Sequence, residues 1–171
     1  MENINRQHRS SSRYRRIQVI TGLLLFCSLT GPLWAPVSPG WCKNNTTLSV
    51  IANLSFGTFT SNSAGTVTVA VTGIRTATGG VLLLGGTVRQ AAFDITGCAD
   101  SAFSIILPPD STLTFGADTM TVTAFTSYPV GSGILDVNGA GTLQFGATLN
   151  VAFPQTEGSY TGTYPVEIVI Q

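Results

Sequence analysis

The chain has 171 residues, of which 43% are hydrophobic and only 9% are charged, and its formal net charge is zero. This neutrality hides an uneven distribution, because five of the eight basic residues and the only histidine lie within residues 1–16. From Trp41 onward three basic residues, Lys43, Arg75 and Arg89, face seven acidic ones, which leaves a charge of −4. A mildly acidic body without a basic patch excludes phosphate-rich partners, so we expect neither nucleic acid nor anionic lipid to bind.

The N-terminus has the pattern of an export signal. Basic residues up to Arg15 and Arg16 lead directly into the mostly apolar run 17–34. That arrangement is typical of a secretory signal peptide, and the run is too short and too interrupted for the roughly 20 apolar residues of a membrane span. We therefore expect residues 1–40 to be a signal peptide, cleaved after Ala35 or Gly40, and no permanent membrane span after cleavage.

The remaining chain, residues 41–171, has the length of a single domain with a sizeable core. It contains two cysteines, Cys42 and Cys98, which export would place where a disulfide persists. A bond between them would stabilise the fold by about 4 kcal/mol. The alternative is a buried Cys98 with Cys42 left as a free thiol. Because the body has no histidine, a thiolate–imidazole pair or a mixed Cys/His zinc site is excluded.

From Thr46 onward apolar residues recur with a period of two. Leu48, Val50, Ala52 and Leu54 alternate with other side chains, which predicts a strand with one buried face. Further extended runs follow at 66–72, 81–84, 87–95, 102–107, 113–115, 119–125, 142–153 and 160–170. Turn residues separate them at Gly79-Gly80, Gly85-Gly86, Pro108-Pro109-Asp110, Asn138-Gly139 and Gly158.

No window predicts an amphipathic helix, and the abundant Thr and Val favour extended backbone. Eight or nine short strands at regular spacing predict an all-β fold, a β-sandwich, with a small β-barrel as the alternative. The low charge leaves few lysines to protect the sheet edges against a neighbouring strand. Such an edge is either covered in the native fold or used for assembly.

The last run, 160–170, is the clearest candidate for an edge of this kind. Its apolar residues share one face, and Pro165 argues for an edge because proline donates no backbone hydrogen bond. The simpler alternative is a terminal strand that closes the sandwich. The sharper hypothesis is strand addition to a partner. The residues of the first and last runs that would form this assembly edge are Leu48, Val50, Leu54, Tyr160, Tyr164, Val166, Ile168 and Ile170.

Several short motifs resemble one family of proteins. They are residues 54–59 (LSFGTF), 64–69 (AGTVTV), 75–81 (RTATGGV), 93–97 (FDITG), 120–122 (MTV) and 158–164 (GSYTGTY). In this order they resemble a family of bacterial exported domains of unknown function that is similar to spore coat protein U and, more distantly, to chaperone-usher pilin subunits. The resemblance implies an immunoglobulin-like β-sandwich at the surface of a Gram-negative-type cell, and it implies no activity.

The comparison with pilins is partial. Gly158 followed by an alternating strand is similar to the pattern that pilin chaperones bind, but the penultimate residue is Ile170, where pilins usually have an aromatic residue. Cleavage near Ala35 or Gly40 also leaves almost no segment ahead of Cys42 to act as a donor strand. Residues 46–54 would serve as a donor only if Cys42 is not bonded to Cys98.

The candidate polar sites are weak. Residues 136–141 have oxygen ligands spaced faintly like the start of a calcium loop, but we interpret them as a hairpin turn. Asp94, Asp100 and Asp110 are candidates for a carboxylate pair in glycoside hydrolysis, but solvated surface positions explain them better. The glycine-rich segment 79–86 lacks the Lys-Ser/Thr ending of a phosphate-binding loop. Trp41 and Tyr128 are single aromatic residues and indicate no sugar site by themselves.

The sequence therefore favours an exported, non-enzymatic structural or interaction domain, pilin-like or coat-like, in the periplasm, on the outer surface or in the medium. Its expected partners are further copies of itself or a periplasmic chaperone, bound by strand addition. The alternative is a monomeric carbohydrate-binding or adhesin-like module. We expect no catalytic residues, cofactor or metal.

Overall fold

A computed structural model describes residues 45–171. These residues form ten strands and no helix, which confirms the all-β prediction. The strands are β1 (Thr47–Ala52), β2 (Ser55–Val69), β3 (Arg75–Arg89), β4 (Ala91–Thr96), β5 (Ala102–Ile106), β6 (Ser111–Phe115), β7 (Asp118–Tyr128), β8 (Ser132–Ile134), β9 (Ala140–Val151) and β10 (Glu167–Ile170). The expected pattern of short strands fails at β2 and β3, which have 15 residues each and run through glycines that the sequence suggested as turns.

Strand β9 is the centre of the larger sheet, because three strands pair with it. Strand β4 pairs with residues 140–145, β2 pairs with 147–151, and β7 overlaps both stretches. Since a strand has only two edges, β4 and β2 share one edge of β9 and β7 takes the other. Gly146 lies between the two shared stretches, where a Cβ atom would collide with the carbonyl oxygen of Val69.

The β2–β3 hairpin bends sharply near its middle. Ser61 pairs with Val81 and Gly65 pairs with Gly79, so that residues 62–64 of β2 face the single residue Gly80 of β3. Gly79 has a φ of 65°, in the region that favours glycine. A bulge of this kind turns the strand and sharpens its twist. The two halves of the hairpin therefore run in different directions.

Arg75 holds the bent hairpin together. It pairs with Val69 at the closed end, and in a straight hairpin Phe56 would lie about 40 Å away. Instead, the Nη1 atom of Arg75 donates hydrogen bonds to the carbonyl oxygens of Phe56 at 2.8 Å, Thr58 at 3.2 Å and Gly85 at 3.1 Å. The far half of the hairpin, residues 55–61 and 81–89, therefore folds back over the near half, residues 65–69 and 75–79.

Two hydrophobic clusters form the core. The first lies inside the bent hairpin and against β7 and the end of β9; its buried residues are Phe56, Val67, Val69, Met120, Val122, Phe125, Ala147, Leu149 and Val151. The second lies between the start of β9 with β4 and a small sheet of order β10-β5-β8; its buried residues are Ala91, Phe93, Ile95, Phe103, Ile105, Leu135, Leu143, Phe145 and Ile168. One end of the molecule is therefore a two-sheet sandwich and the other is barrel-like.

The first and last runs differ from their sequence-based expectations. Strand β1 pairs only with β4 and has no fully buried residue, with Val50 44% exposed and Ile51 59% exposed. The expected strand over 160–170 is confirmed only for the four residues of β10, and the preceding stretch has one isolated bridge, from Thr161 to Thr114. Within residues 45–171 β4 is the only strand that pairs with β1, and apart from that bridge no strand pairs with residues 160–166.

Within residues 45–171 no helix is long and apolar enough to cross a membrane.

Candidate functional site: an open groove in the barrel-like sheet

The barrel-like sheet is open along one side. In spatial order, this sheet begins with the far half of the β2–β3 hairpin and continues through β9 and β7 to β6. A bridge from Thr114 of β6 then adds Thr161 at the end of this path. A groove of about 1790 Å³ lies between the two ends of this path. Residues 53–61 line one wall and residues 155–167 line the other. We refer to this feature as the groove.

The floor of the groove is apolar. Five of its residues belong to the buried cluster of the barrel-like end: Phe56, Met120, Val122, Leu149 and Val151. Leu113 of β6, which packs against that cluster, and Phe93 of the other cluster complete the floor. Met120 is 6% exposed and Val122 and Leu149 are each 2% exposed, so solvent reaches only the tops of these side chains. A bound segment with apolar side chains on one face would bury those side chains against these core residues.

The β2 wall presents an unpaired strand edge. Residues 65–69 of β2 pair with β9, but within the described chain residues 55–61 pair only with β3. Backbone N–H and C=O groups on the outer side of this stretch therefore face the groove without a partner strand. Such groups pair readily with an added strand.

The opposite wall is extended chain without a ladder. Tyr160 anchors it: its ring lies 5.7 Å from that of Phe115, and its hydroxyl donates to the carbonyl oxygen of Thr156 at 2.8 Å. The same hydroxyl accepts a hydrogen bond from Gln155 Nε2 at 2.7 Å. Apart from the bridge at Thr161, residues 160–166 form no pair with another strand of the described chain.

Tyr164 connects the second wall to the core. Its ring lies 5.2 Å from that of Phe125, and burial raises the pKa of its hydroxyl to about 12, although a backbone hydrogen bond from Leu54 acts in the opposite direction. Leu54 packs against both hydrophobic clusters. The contact between Tyr164 and Leu54 therefore joins the two walls.

Both charged residues that line the groove are acidic. Glu157 and Glu167 are the only charged residues among those that line it. In the described chain the basic residues are Arg75 and Arg89, and neither lines the groove. An acidic ligand segment would meet repulsion there, whereas a neutral or basic one would not.

A family model for a domain of unknown function, DUF4402, matches residues 46–169. The chain belongs to the DUF4402 family. No curated protein and no solved structure matches it. The match supports the expected membership of a family of unknown function, while the expected relation to spore coat protein U and to pilins stays a prediction.

The DUF4402 domain brings together five of the eight residues expected at an assembly edge. Val50, Leu54, Tyr160, Tyr164 and Val166 all line the groove. The other three belong to the second cluster, where Ile168 is buried and Leu48 and Ile170 pack against it. Sequence reasoning missed the 55–61 wall, whose alternation is broken by the shifted register after Phe56.

The aspartates of the DUF4402 domain fit the structural roles expected of them. The Oδ1 atom of Asp136 accepts hydrogen bonds from the backbone N–H groups of Asn138 and Ala140, both at 2.8 Å, and Gly139 has a φ of 75°. These bonds, that from Ala140 first, lower the pKa of Asp136 below its ordinary value. The expected turn is therefore present, but it is not a hairpin, because β8 and β9 on either side of it lie in different sheets and do not pair with each other. Within residues 45–171 no three His, Cys, Asp or Glu residues are placed to hold a metal ion.

Asp94, Asp100 and Asp110, the carboxylates considered for glycoside hydrolysis, all occupy exposed positions. Asp94 is exposed on β4 between the buried Phe93 and Ile95, as the alternation predicts. Asp100 lies in the turn after β4 with a φ of 58°, and Asp110 is exposed just before β6. Asp94 and Asp136 line a shallow surface cleft of about 350 Å³, to which neither of the other two contributes.

Cys98 lies in the connection between β4 and β5 and is partly buried. Cys42, together with the expected signal peptide and Trp41, lies outside the described residues. Pairing of Cys42 with Cys98 therefore stays a prediction.

Proposed function

We propose that this DUF4402 protein is an exported, non-enzymatic structural or interaction domain that assembles by accepting an added β-strand in the groove. The observation that carries the proposal is the unpaired 55–61 edge of β2 beside an apolar floor. An added strand would satisfy the backbone groups of that edge and place alternate side chains on the floor. The strand comes from another copy or from a periplasmic chaperone.

The composition of the chain supports export and a structural role. The basic and apolar leader supports secretion to the periplasm or beyond, and a disulfide from Cys42 to Cys98 would stabilise the domain in that oxidising compartment. The body contains no histidine, and its aspartates lie on the surface and in turns. A domain with these properties suits a coat or fimbrial subunit better than a hydrolase.

The first experiment is light scattering on leader-free protein purified from the periplasm with its disulfides intact. We expect oligomers that resist dissociation. Thr60→Trp places a large ring among the groove-lining residues, and it should leave a monomer. Thr76→Trp is the matched control, because Thr76 is also an exposed threonine on a strand of the same hairpin but lies outside the groove.

A monomeric wild-type protein that also captures no partner strand would overturn the proposal. Oligomers that form equally well with Thr60→Trp would place assembly elsewhere on the molecule.

A further inference from the structure

We infer that the strand that fills the groove belongs to a different protein and carries a lysine or arginine near each of its ends. This inference rests on the proposed function, and it decides between the two sources of the strand named there. The observation that carries it is the position of the two carboxylates of the groove, one near each end of the wall 155–167. Oligomers purified from the periplasm would therefore contain this second protein.

The two carboxylates lie toward opposite ends of the groove. Glu167 is the first residue of β10, so it lies at the end of the groove nearest the sandwich. Glu157 precedes Tyr160, whose ring packs against Phe115 at the end of β6, in the barrel-like part of the molecule. A strand laid along the groove would have one carboxylate near each of its ends.

The chain itself does not neutralise these carboxylates. Glu157 is exposed and Glu167 is half-buried, and neither forms an ion pair within residues 45–171. Arg75 is bound to three carbonyl oxygens, and Arg89 does not line the groove. Because the floor is apolar and both charges on the walls are negative, the electric field in the groove attracts cationic groups.

A second copy of the chain offers no strand with basic ends. From Trp41 onward each copy has a net charge of −4, so two copies repel each other. Among the ten strands of the described chain only β3 begins and ends with a basic residue, Arg75 and Arg89. That strand is already paired with β2 in the hairpin, so it is not available to a neighbour.

The uncharged strand β1 of a second copy is not available either. Cys98, which follows β4, is disulfide-bonded, and the other cysteines of the chain, Cys27 and Cys42, both precede β1. A bond from Cys98 to either of them ties the chain ahead of β1 to the strand with which β1 pairs. Val50 of β1 also lines the groove, so β1 is part of the acceptor. The donor is therefore a different protein.

The β2 wall defines the middle of the donor strand. The unpaired edge 55–61 extends over roughly 23 Å at about 3.3 Å per residue, so about seven residues of the donor pair with it. Alternate side chains of these residues would lie on the apolar floor and should be apolar. At the ends of the strand a lysine or arginine would pair with Glu157 or Glu167, whereas an acidic residue would be repelled.

Labelled peptides test this inference on leader-free protein with its disulfide intact. Each peptide has a core of alternating threonine and valine, long enough for the 55–61 edge, and ends on both sides in lysine, in glutamine or in glutamate. At low salt the lysine-ended peptide should bind about tenfold more tightly than the glutamine-ended one, the size expected of two exposed ion pairs. High salt should remove most of this preference. The glutamate-ended peptide should bind most weakly, and bound peptide should slow amide exchange in residues 55–61.

Two double variants separate the groove carboxylates from the net charge of the protein. Glu157→Gln combined with Glu167→Gln should abolish the preference for lysine while the glutamine-ended peptide still binds. Asp94→Asn combined with Asp100→Asn is the matched control, because it removes the same charge from exposed residues outside the groove and should retain the preference. Thr60→Trp should weaken the binding of all three peptides.

The inference fails if the glutamine-ended peptide binds as tightly as the lysine-ended one, or if the preference survives the two glutamate substitutions. It also fails if pure wild-type protein assembles without a second protein. In each of these cases, loss of binding or of assembly with Thr60→Trp would still support strand addition in the groove. If no peptide binds and the wild type neither assembles nor captures a partner strand, the proposed function itself is overturned.

Discussion

At the scale of single residues, Arg75 shows how one cation can determine the shape of a strand. Its guanidinium binds three carbonyl oxygens on the far half of the hairpin, at a place where the shifted register leaves backbone groups without ladder partners. Hydrogen bonds that involve a charged donor contribute more than neutral ones. The bend in β2 and β3, and with it the β2 wall of the groove, depends on this side chain.

We therefore expect Arg75→Met to lower the free energy of unfolding by about 2 kcal/mol, because partly buried carbonyl groups lose their donor. Urea unfolding followed by circular dichroism measures the change. Arg75→Lys should recover only part of the loss, since an ammonium group lacks the planar fork of the guanidinium. Arg89→Met is the control: Arg89 is exposed, and its loss should change stability by less than about 0.5 kcal/mol. Equal effects at the two arginines would contradict this role for Arg75.

Tyr164 makes stability depend on alkaline pH. Burial raises its pKa to about 12 in the folded chain, from 10.0 for an ordinary tyrosine. Below pH 10 both the folded and the unfolded chain keep the proton, so its full contribution to stability is present. Between pH 10 and 12 the unfolded chain loses its proton first, and stability falls by at most about 1 kcal/mol per pH unit.

We expect Tyr164→Phe to flatten this decline when the free energy of unfolding is measured from pH 8 to 11. Tyr128→Phe removes a hydroxyl from a ring that is 62% exposed, and this control should retain the decline. An unchanged alkaline profile in Tyr164→Phe would show that another group is responsible.

At the scale of strands, β9 serves two partners along one edge because a glycine separates them. Gly146 is buried between the stretch that pairs with β4 and the stretch that pairs with β2. Its φ lies outside the left-handed region, so the requirement for glycine comes from the close approach of the backbone at Val69 and Ala70.

Gly146→Ala should accordingly destabilise the fold by about 2 kcal/mol or more, since the new methyl group has no space and the neighbouring backbone must shift. Thermal unfolding measures the loss. Gly116→Ala is the comparison: Gly116 has a φ of 58° but nothing lies within 4 Å of a Cβ atom there, so only backbone strain of about 1 kcal/mol is expected. A smaller loss at Gly146 than at Gly116 would contradict the packing argument.

The strands also show how far the sequence can predict this fold. Period-two alternation identified most strands, and the turn at Asp136 followed from local residue chemistry. The bend at Gly79-Gly80 was missed, because glycines within a bent strand have the same local pattern as glycines in a turn. The groove was beyond local reasoning, since it depends on which strands become neighbours. Residues 160–164 alternate as a strand does, yet within the described chain their only strand pairing is the bridge from Thr161 to Thr114.

At the scale of the whole molecule, β9 joins the two core clusters into one cooperative unit. Leu143 belongs to the cluster of the sandwich end and Leu149 to that of the barrel-like end, and both lie on β9. Because the same strand contributes to both clusters, loss of packing in one should weaken the other.

We expect Leu143→Ala and Leu149→Ala each to cost about 3 kcal/mol and each to leave a single unfolding transition. Amide exchange should then accelerate across both clusters in either variant. Exchange that accelerates only in the cluster carrying the substitution would show that the two ends unfold independently.

The hydrogen bonds between Arg75 and the hairpin have a further consequence for proteolysis. Beyond Lys43 the chain offers only Arg75 and Arg89 to a protease that cleaves after basic residues. The guanidinium of Arg75 is engaged with three carbonyl groups, whereas Arg89 is exposed beside the one-residue link between β3 and β4. A cut after Arg89 would separate β2 from β4 in the chain, but both would still be hydrogen-bonded to β9. The domain should therefore remain in one piece after a trypsin-like enzyme has cut it at Arg89.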